Sequence, residues 1–513
     1  MIPVLGLLLA ALAQGGNDAS AWLARAQEHY QKQEWKAADE AAHRALALDP
    51  GLADAEVLLG WVATAQTDLQ GAETHFTRAV KLRPRDSRAL GYLASTRLRL
   101  NRVDDAAAGF AQVLRLDPGN VAAEHNLGLI ALMRARPEQA LARFRAVLKS
   151  RPSDVAALTG ALESELLLKR REEARKSAAA LEALLGADDP RLFQTATLLA
   201  LHGENEAAIR ILLRMRKAMP GSYDVSYNLA LAYFRSAQYE RAAECLHPFL
   251  EPRAKAEPWN LLGAIEEKRG RSAEALTAYR EAARLEPANE DYRFDEAAQV
   301  LRHEGVEAAV TAFDRGVRDF PKSWRMRLGL GSVRYLAGDY EEAARVLLEA
   351  VALNPEAEAG YFLLGKAYET APASQPRIVA ALRAYAAGHR DAWTEYHLGS
   401  ILLARTQAGA SSGLGEAKAH LDRALALKSD FPEALVALAG IDEIEGRVEE
   451  SVSRLERAVK LDSGLAAAHY KLGLLYQRRG EKELARNELK RFQDLKTESQ
   501  IRDRNAVLHS LAR

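Results

Sequence analysis

Cysteine is almost absent: Cys245 is the single thiol in 513 residues. One thiol cannot close an internal disulfide, and no Cys-x-x-Cys pair exists for zinc, redox or haem chemistry. Cys245 therefore reads as a small buried apolar residue. Surplus charge is absent too. Lys plus Arg number 70 and Asp plus Glu number 70, leaving a formal net charge of zero. That excludes a general polyanion binder, because neutralising phosphates takes a clustered positive excess, and nucleic acid is not an expected partner. Helix breakers are scarce, with 17 Pro and 33 Gly. Ala, Leu, Arg and Glu dominate the rest, the composition of a chain that is helical nearly everywhere.

Long apolar runs are confined to the start, MIPVLGLLLAALAQGG. Its apolar part, Val4 to Ala13, is too short to span a bilayer as a helix. It ends in Ala11-Leu12-Ala13, the small-x-small pattern a signal peptidase requires, followed by Gln14. This reads as a secretory signal cleaved after Ala13, although its n-region has no Lys or Arg. The expected location is periplasmic or secreted, with no integral membrane span after cleavage. The alternatives are an uncleaved anchor, or an apolar capping helix on a cytoplasmic chain.

What is present is a period. Pro50, Pro84, Pro118 and Pro152 stand 34 residues apart, and Pro220 lies two periods further, with Gly186 between. Pro287, Pro321 and Pro355 restart the spacing, and Ser429, Ser463 and Thr497 hold the equivalent place. Small residues keep the same phase. Gly60, Ala94, Gly128, Ala196, Ala230, Gly263, Ala297, Gly331, Gly365, Gly399, Ala439 and Gly473 form one series. Ala38, Ala72, Ala106, Ala140, Ala174, Ala208, Ala242, Ala275, Ala309, Ala343, Ala417 and Ala485 form a second. Two antiparallel helices joined by a short turn approach closely only where a side chain is a hydrogen or a methyl. The proline stops each second helix, since it lacks a donor and clashes with the preceding turn.

Trp259-x-x-Leu262-Gly263, followed by Ala275, Tyr279, Ala282 and Pro287, resembles the tetratricopeptide consensus. Leu59-Gly60, Ala72, Phe76, Ala79 and Pro84 resemble it as well, and so do Tyr361, Leu364, Gly365 and Tyr368. The resemblance implies an all-α fold, an α-solenoid coiled as a right-handed superhelix of about fourteen antiparallel helix pairs. The units phase as 19–52, 53–86, 87–120, 121–154, 155–188, 189–222 and 223–255, then 256–289, 290–323, 324–357, 358–391, 392–431, 432–465 and 466–499. Residues 1–18 hold the signal and the start of the mature chain, and 500–513 a polar C-terminal cap. Units 155–222 lack the aromatic positions. Pro248, Pro252 and Pro258 crowd one junction, where a shortened helix is favoured over a hinge. Residues 405–416 insert about six residues into a tight turn, as a surface loop.

No motif carries convincing catalytic chemistry. Gly409-Ala-Ser411-Ser-Gly413 matches a nucleophile elbow in letters, but its flanks are helices rather than strand and helix. Gly360 to Lys366 begins like a phosphate loop, yet Ala367 offers no hydroxyl and both glycines fall in repeat phase. The histidines are scattered, and His125, His397 and His469, in repeat register, read as solvated or groove-lining. Neither a metal nor a cofactor is expected, and the chain is not read as an enzyme.

The resemblance places the first helix of each pair along a concave groove. The groove positions are Trp61, Tyr92, Asn126, Phe193, Tyr227, Asn228, Asn260, Phe294, Phe362, Trp393, Tyr396 and Tyr470. Packing between repeats is the alternative role for each aromatic. Asn126 and Asn228 resemble rungs of the asparagine ladder in O-linked N-acetylglucosamine transferase, but Gln194, Asp295, His397 and Lys471 break it. The carboxylate clamp of chaperone-binding relatives is not assembled in any three consecutive units. The expected function is a non-enzymatic scaffold that binds partner proteins or peptides, in a multiprotein envelope complex. The alternative is a non-catalytic subunit of a polysaccharide synthesis, export or secretion machine that contacts glycan.

Overall fold

The structure, a computed structural model, describes residues 18–250, 255–408 and 413–495. The signal segment, Pro252, residues 409–412 of the inserted run and the polar cap at 500–513 lie outside the described residues. All regular structure among the described residues is helical, and no strand occurs there. None of those helices is long and apolar enough to cross a membrane. The chain divides into two compact units, Met1–Cys245 and Leu246–Arg513.

In the first unit, first helices run Ala19–Gln31, Ala53–Ala65, Ser87–Arg99, Val121–Met133, Val155–Leu167, Pro190–Leu201 and Tyr223–Arg235. Each is followed by an antiparallel second helix, from Trp35–Leu48 through Asn205–Ala218 to the short Tyr239–Leu246. The second unit repeats the scheme from Ala256–Lys268 with Ser272–Leu285 to Ala466–Arg478 with a helix at 482–495.

Punctuation comes from three local devices. Each periodic proline stands two residues beyond a second helix, as Pro84 does after Leu69–Leu82. Two residues further comes a capping side chain. Asp86, Asn120, Asp154, Ser222, Asn289 and Ser323 each accept a hydrogen bond from an open amide of the next first helix, worth about 1 kcal/mol apiece. Between the two helices of a pair, one residue enters the left-handed region. In the first unit it is Gln33, Thr67, Asn101, Ala135, Lys169, Gly203 and Ala237, whereas Gly270, Gly305, Gly338, Gly446 and Gly480 take that place in the second. The turn closes as Asp68 N–H donates to the Ala63 carbonyl at 2.9 Å, the six-to-one bond of a helix C-terminus.

The two small-residue series mark where helices touch. Ala38, Ala72, Ala106, Ala140, Ala174, Ala208 and Ala242 have no exposed surface at all. In the other series, a glycine on the first helix lies beneath a bulky residue of its own second helix, sixteen positions on. A Cβ at Gly128 would lie 2.7 Å from the Phe144 ring, at Gly263 2.6 Å from Tyr279, at Gly331 2.6 Å from Leu347 and at Gly473 2.7 Å from Leu489. Gly60 seats the Phe76 ring in the same way. Where the insertion falls, a Cβ at Gly399 would lie 2.6 Å from Leu421, six residues later than elsewhere, so the extra chain leaves the helix crossing intact. The rings also reach the following pair: Phe144 lies against Gly160, and Phe313 against Gly329. Burying such a ring contributes about 2–3 kcal/mol.

Residues 155–222 form two ordinary pairs despite lacking the aromatics. The proline-crowded junction holds a shortened helix, Tyr239–Leu246, followed by one 3-10 turn, His247–Phe249, and Pro258 sits in the first turn of Ala256–Lys268. The inserted segment is partly helical, because Ala392–Gln407 extends to sixteen residues. Gly360 and Gly365 both lie inside the helix Glu358–Ala367, which leaves no phosphate-cradling loop. Cys245 is buried; its Sγ accepts from the Arg216 guanidinium at 3.1 Å, and burial pushes the thiol up.

Replacing Gly263 with Glu should cost at least about 3 kcal/mol, since the side chain must displace the Tyr279 ring and bury a charge. Gly91, in the helix Ser87–Arg99, has nothing within 4 Å of its absent Cβ, so Gly91→Ala should be neutral or stabilise by up to about 1 kcal/mol. Thermal unfolding followed by circular dichroism checks both; a Gly263→Glu protein that melts like the wild type contradicts the packing described.

Candidate functional site

Two consecutive first helices of the second unit build an aromatic pocket. On Glu358–Ala367, Phe362, Gly365 and Lys366 follow at helical spacing and share a face. On Ala392–Gln407, Trp393, Tyr396 and His397 do the same. Asp391 fixes the start of the second helix by accepting from the amide of Thr394 at 2.7 Å and from its hydroxyl at 2.6 Å. The rings meet edge to face, with Phe362 and Trp393 centroids 5.0 Å apart and Trp393 and Tyr396 5.8 Å apart. Beneath them the fully buried Phe431 lies 4.6 Å from Trp393 and 5.2 Å from Tyr396.

The pocket encloses about 530 Å³, within the roughly 300–1,000 Å³ range of ligand sites. The start of Ala466–Arg478 and the preceding Asp462 and Gly464 close one side. Charge enters as Lys366, Glu369, Glu433 and Asp462. Asp462 accepts from the Gly464 amide at 2.9 Å. Lys366 stands 5.8 Å over the Phe362 ring, and Lys428 stands 5.4 Å over Trp393.

Of the two readings of His397, solvated or groove-lining, the structure excludes the first. It is not solvated: only 7% of its surface is exposed, its ring fills the space left by Gly365, and its Nε2 has no hydrogen-bond partner. Burial, assisted by the Lys366 ammonium, pushes its pKa down to about 3. The imidazole is therefore neutral at ordinary pH. Burial likewise pushes the Tyr396 phenol up, and the carboxylates of Glu433 and Glu369 add to the effect. His469 is also buried, with Nδ1 2.5 Å from Glu488 and Nε2 3.1 Å from the Ser463 carbonyl. His125 is half-buried, its ring centroid 5.6 Å from that of Phe144.

Of the twelve groove positions, Phe362, Trp393 and Tyr396 are brought into one pocket. Trp61 and Tyr92, in the first unit, touch each other at 5.4 Å and belong to a ring series with Tyr30. Phe294 is a core residue, 6% exposed, packed edge-on to Phe313 at 5.5 Å. Tyr227 stacks on Tyr223 of its own helix, Phe193 is half-buried, and the exposed Tyr470 lies 5.0 Å from Phe492. The amides of Asn126 and Asn228 donate to carbonyls one turn back in their own helices, those of Ala122 and Asp224. Asn260 instead reaches the next first helix and donates to Asp295 at 2.8 Å.

Sequence models of the tetratricopeptide repeat match residues 57–121, 125–190 and 294–358. Two further models of the same repeat match 256–289 and 467–495, so that just over half of the chain is covered. The chain belongs to the tetratricopeptide-repeat family. Among solved structures, this repeat protein is similar to the pilF protein of Pseudomonas aeruginosa, at 20% identity over 40% of this chain and 94% of that one, TM-score 0.35. It is similar to PilW, a type IV pilus biogenesis factor, at 19% identity over 40% and 96%, TM-score 0.36. The Cut9–Hcn1 structure of the APC/C matches at 14% identity over 99% of each chain, TM-score 0.31. At these identities and scores the likenesses carry no argument about partner or location. No curated protein matches the chain.

The neutral His397 makes the pocket acid-sensitive. A base whose pKa drops from 6.5 to about 3 on folding contributes stability that is complete above pH 6.5 and is lost as pH falls toward 3. At pH 5.0 the loss should be about 2 kcal/mol. Chemical unfolding at pH 7.5 and 5.0 should show that extra loss in the wild type and not in His397→Gln; equal losses contradict a buried neutral imidazole.

Proposed function

We propose that this tetratricopeptide-repeat protein is a non-enzymatic scaffold that holds an extended segment of a partner protein, with the pocket at Phe362, Trp393 and Tyr396 as its main anchor point. Members of the family serve generally as protein-interaction scaffolds, which supports the class of activity. The observation that carries the anchor is the convergence of three rings from two successive repeats on one open pocket. Aromatics supply contact area at small entropic cost, which suits anchoring residues at interfaces. Within each unit, the other groove positions apart from the core residue Phe294 are proposed as weaker contacts, with Asn126 and Asn228 in the first unit and Tyr470 in the second offering amide and hydroxyl groups to a bound backbone.

The chain is further proposed to act outside the cytoplasm, in a multiprotein complex of the cell envelope. The apolar segment ending in Ala11-Leu12-Ala13 supports this.

Affinity capture from the envelope fraction tests the proposal. A Trp393→Ala variant, verified as folded by its melting curve, should retain at least tenfold less of the partner that the wild type holds. The native chain should begin at Gln14. Undiminished capture by the variant places the anchor elsewhere, and a native chain that begins at Met1 removes the export part.

A further inference from the structure

The pocket is unevenly charged. Three carboxylates, those of Glu369, Glu433 and Asp462, line it against one ammonium, that of Lys366. Counting Lys428, which stands over Trp393, still leaves the balance negative. The one imidazole in the lining adds no positive charge, because burial and Lys366 hold His397 neutral. Burial does most to raise the Tyr396 phenol, and the carboxylates of Glu433 and Glu369 add to it. Aromatic faces here already attract cations from the chain itself, since Lys366 lies 5.8 Å over Phe362 and Lys428 lies 4.7 Å over Phe431. A guest that met these walls with an acidic group would face three carboxylates. A purely apolar guest would strip water from these carboxylates and offer no hydrogen bond in return.

We propose that the pocket receives a basic side chain of the partner segment, an arginine guanidinium, stacked among Phe362, Trp393 and Tyr396 and neutralised by Glu369 and Glu433. The proposal rests on the reading of this pocket as the partner-binding anchor. A guanidinium suits it better than a strongly hydrated ammonium. It is planar, weakly hydrated and able to lie against a ring while its N–H groups reach carboxylates at the rim. The volume of about 530 Å³ leaves room for the backbone on either side of that residue. The pocket thereby selects sequence, whereas contacts elsewhere on the helices serve backbone and length.

The test uses the full chain and five-residue alanine peptides, capped at both ends, with arginine, citrulline, leucine or glutamate at the centre. Binding is measured by titration calorimetry at low salt, and its place by hydrogen exchange over residues 392–401. The arginine peptide should bind at least tenfold more tightly than its neutral isostere citrulline and should slow exchange in that helix. The glutamate peptide should not bind. In a Glu369→Gln, Glu433→Gln protein the preference for arginine over citrulline should vanish, while its melting temperature stays that of the wild type. Equal affinity for citrulline, tighter binding of leucine or glutamate, an arginine preference that survives the double substitution, or no binding by any peptide overturns the assignment. If Trp393→Ala still abolishes partner capture in that event, only the guanidinium is refuted; if capture survives Trp393→Ala, the anchor itself is.

Discussion

Where the first helix carries glycine at its crossing, a helical hairpin closes because a bulky residue of its second helix rests on bare backbone. Gly60 beneath Phe76, Gly128 beneath Phe144 and Gly263 beneath Tyr279 are three instances of one contact. A methyl group at those glycines would overlap the ring, so helix separation is set by ring thickness rather than by side-chain length. The same ring then presses on the next pair, as Phe144 does on Gly160 and Phe313 on Gly329. One residue therefore fixes both the closure of a hairpin and the stacking of its neighbour. In such quasi-one-dimensional proteins, stability is the sum of repeat and nearest-neighbour terms, and here both terms share an atom group.

The candidate site is a variation on that contact. At Gly365 part of the space is taken by His397, a side chain of the following first helix. A polar ring thus occupies a slot that is elsewhere apolar, at the cost of a neutral, unpartnered nitrogen. Beside it, Trp393 and Tyr396 form walls of the pocket. Part of its charge comes from the turns: Glu369 follows the shortened helix Glu358–Ala367, and Asp462 precedes Ala466–Arg478.

Much of the fold was legible because the period is carried by residues with strong local meaning. Proline must end a helix, and the small residues must lie at crossings, so Pro84 and Gly60 report their environments directly. What single residues could not reveal was the second contact of each ring. Gly160 and Gly329 are two positions out of the main glycine series, and their role depends on the preceding repeat. The site was less legible for the same reason. The family resemblance placed Phe294, Phe362 and Trp393 at groove positions, yet Phe294 turns into the core while the other two frame a pocket. That difference is set by neighbours one repeat away. His397 shared the register of polar rungs, and only the space left by Gly365 distinguishes a buried ring from a solvated one.

The most direct test of the shared contact is a double-mutant cycle at Gly60 and Phe76. Gly60→Ala should destabilise the wild type by about 2 kcal/mol or more, and by at least about 1 kcal/mol less in a Phe76→Leu background, where the smaller side chain makes room. Costs that add to within about 0.5 kcal/mol would show that the two residues do not constrain each other, and would contradict the account at its base.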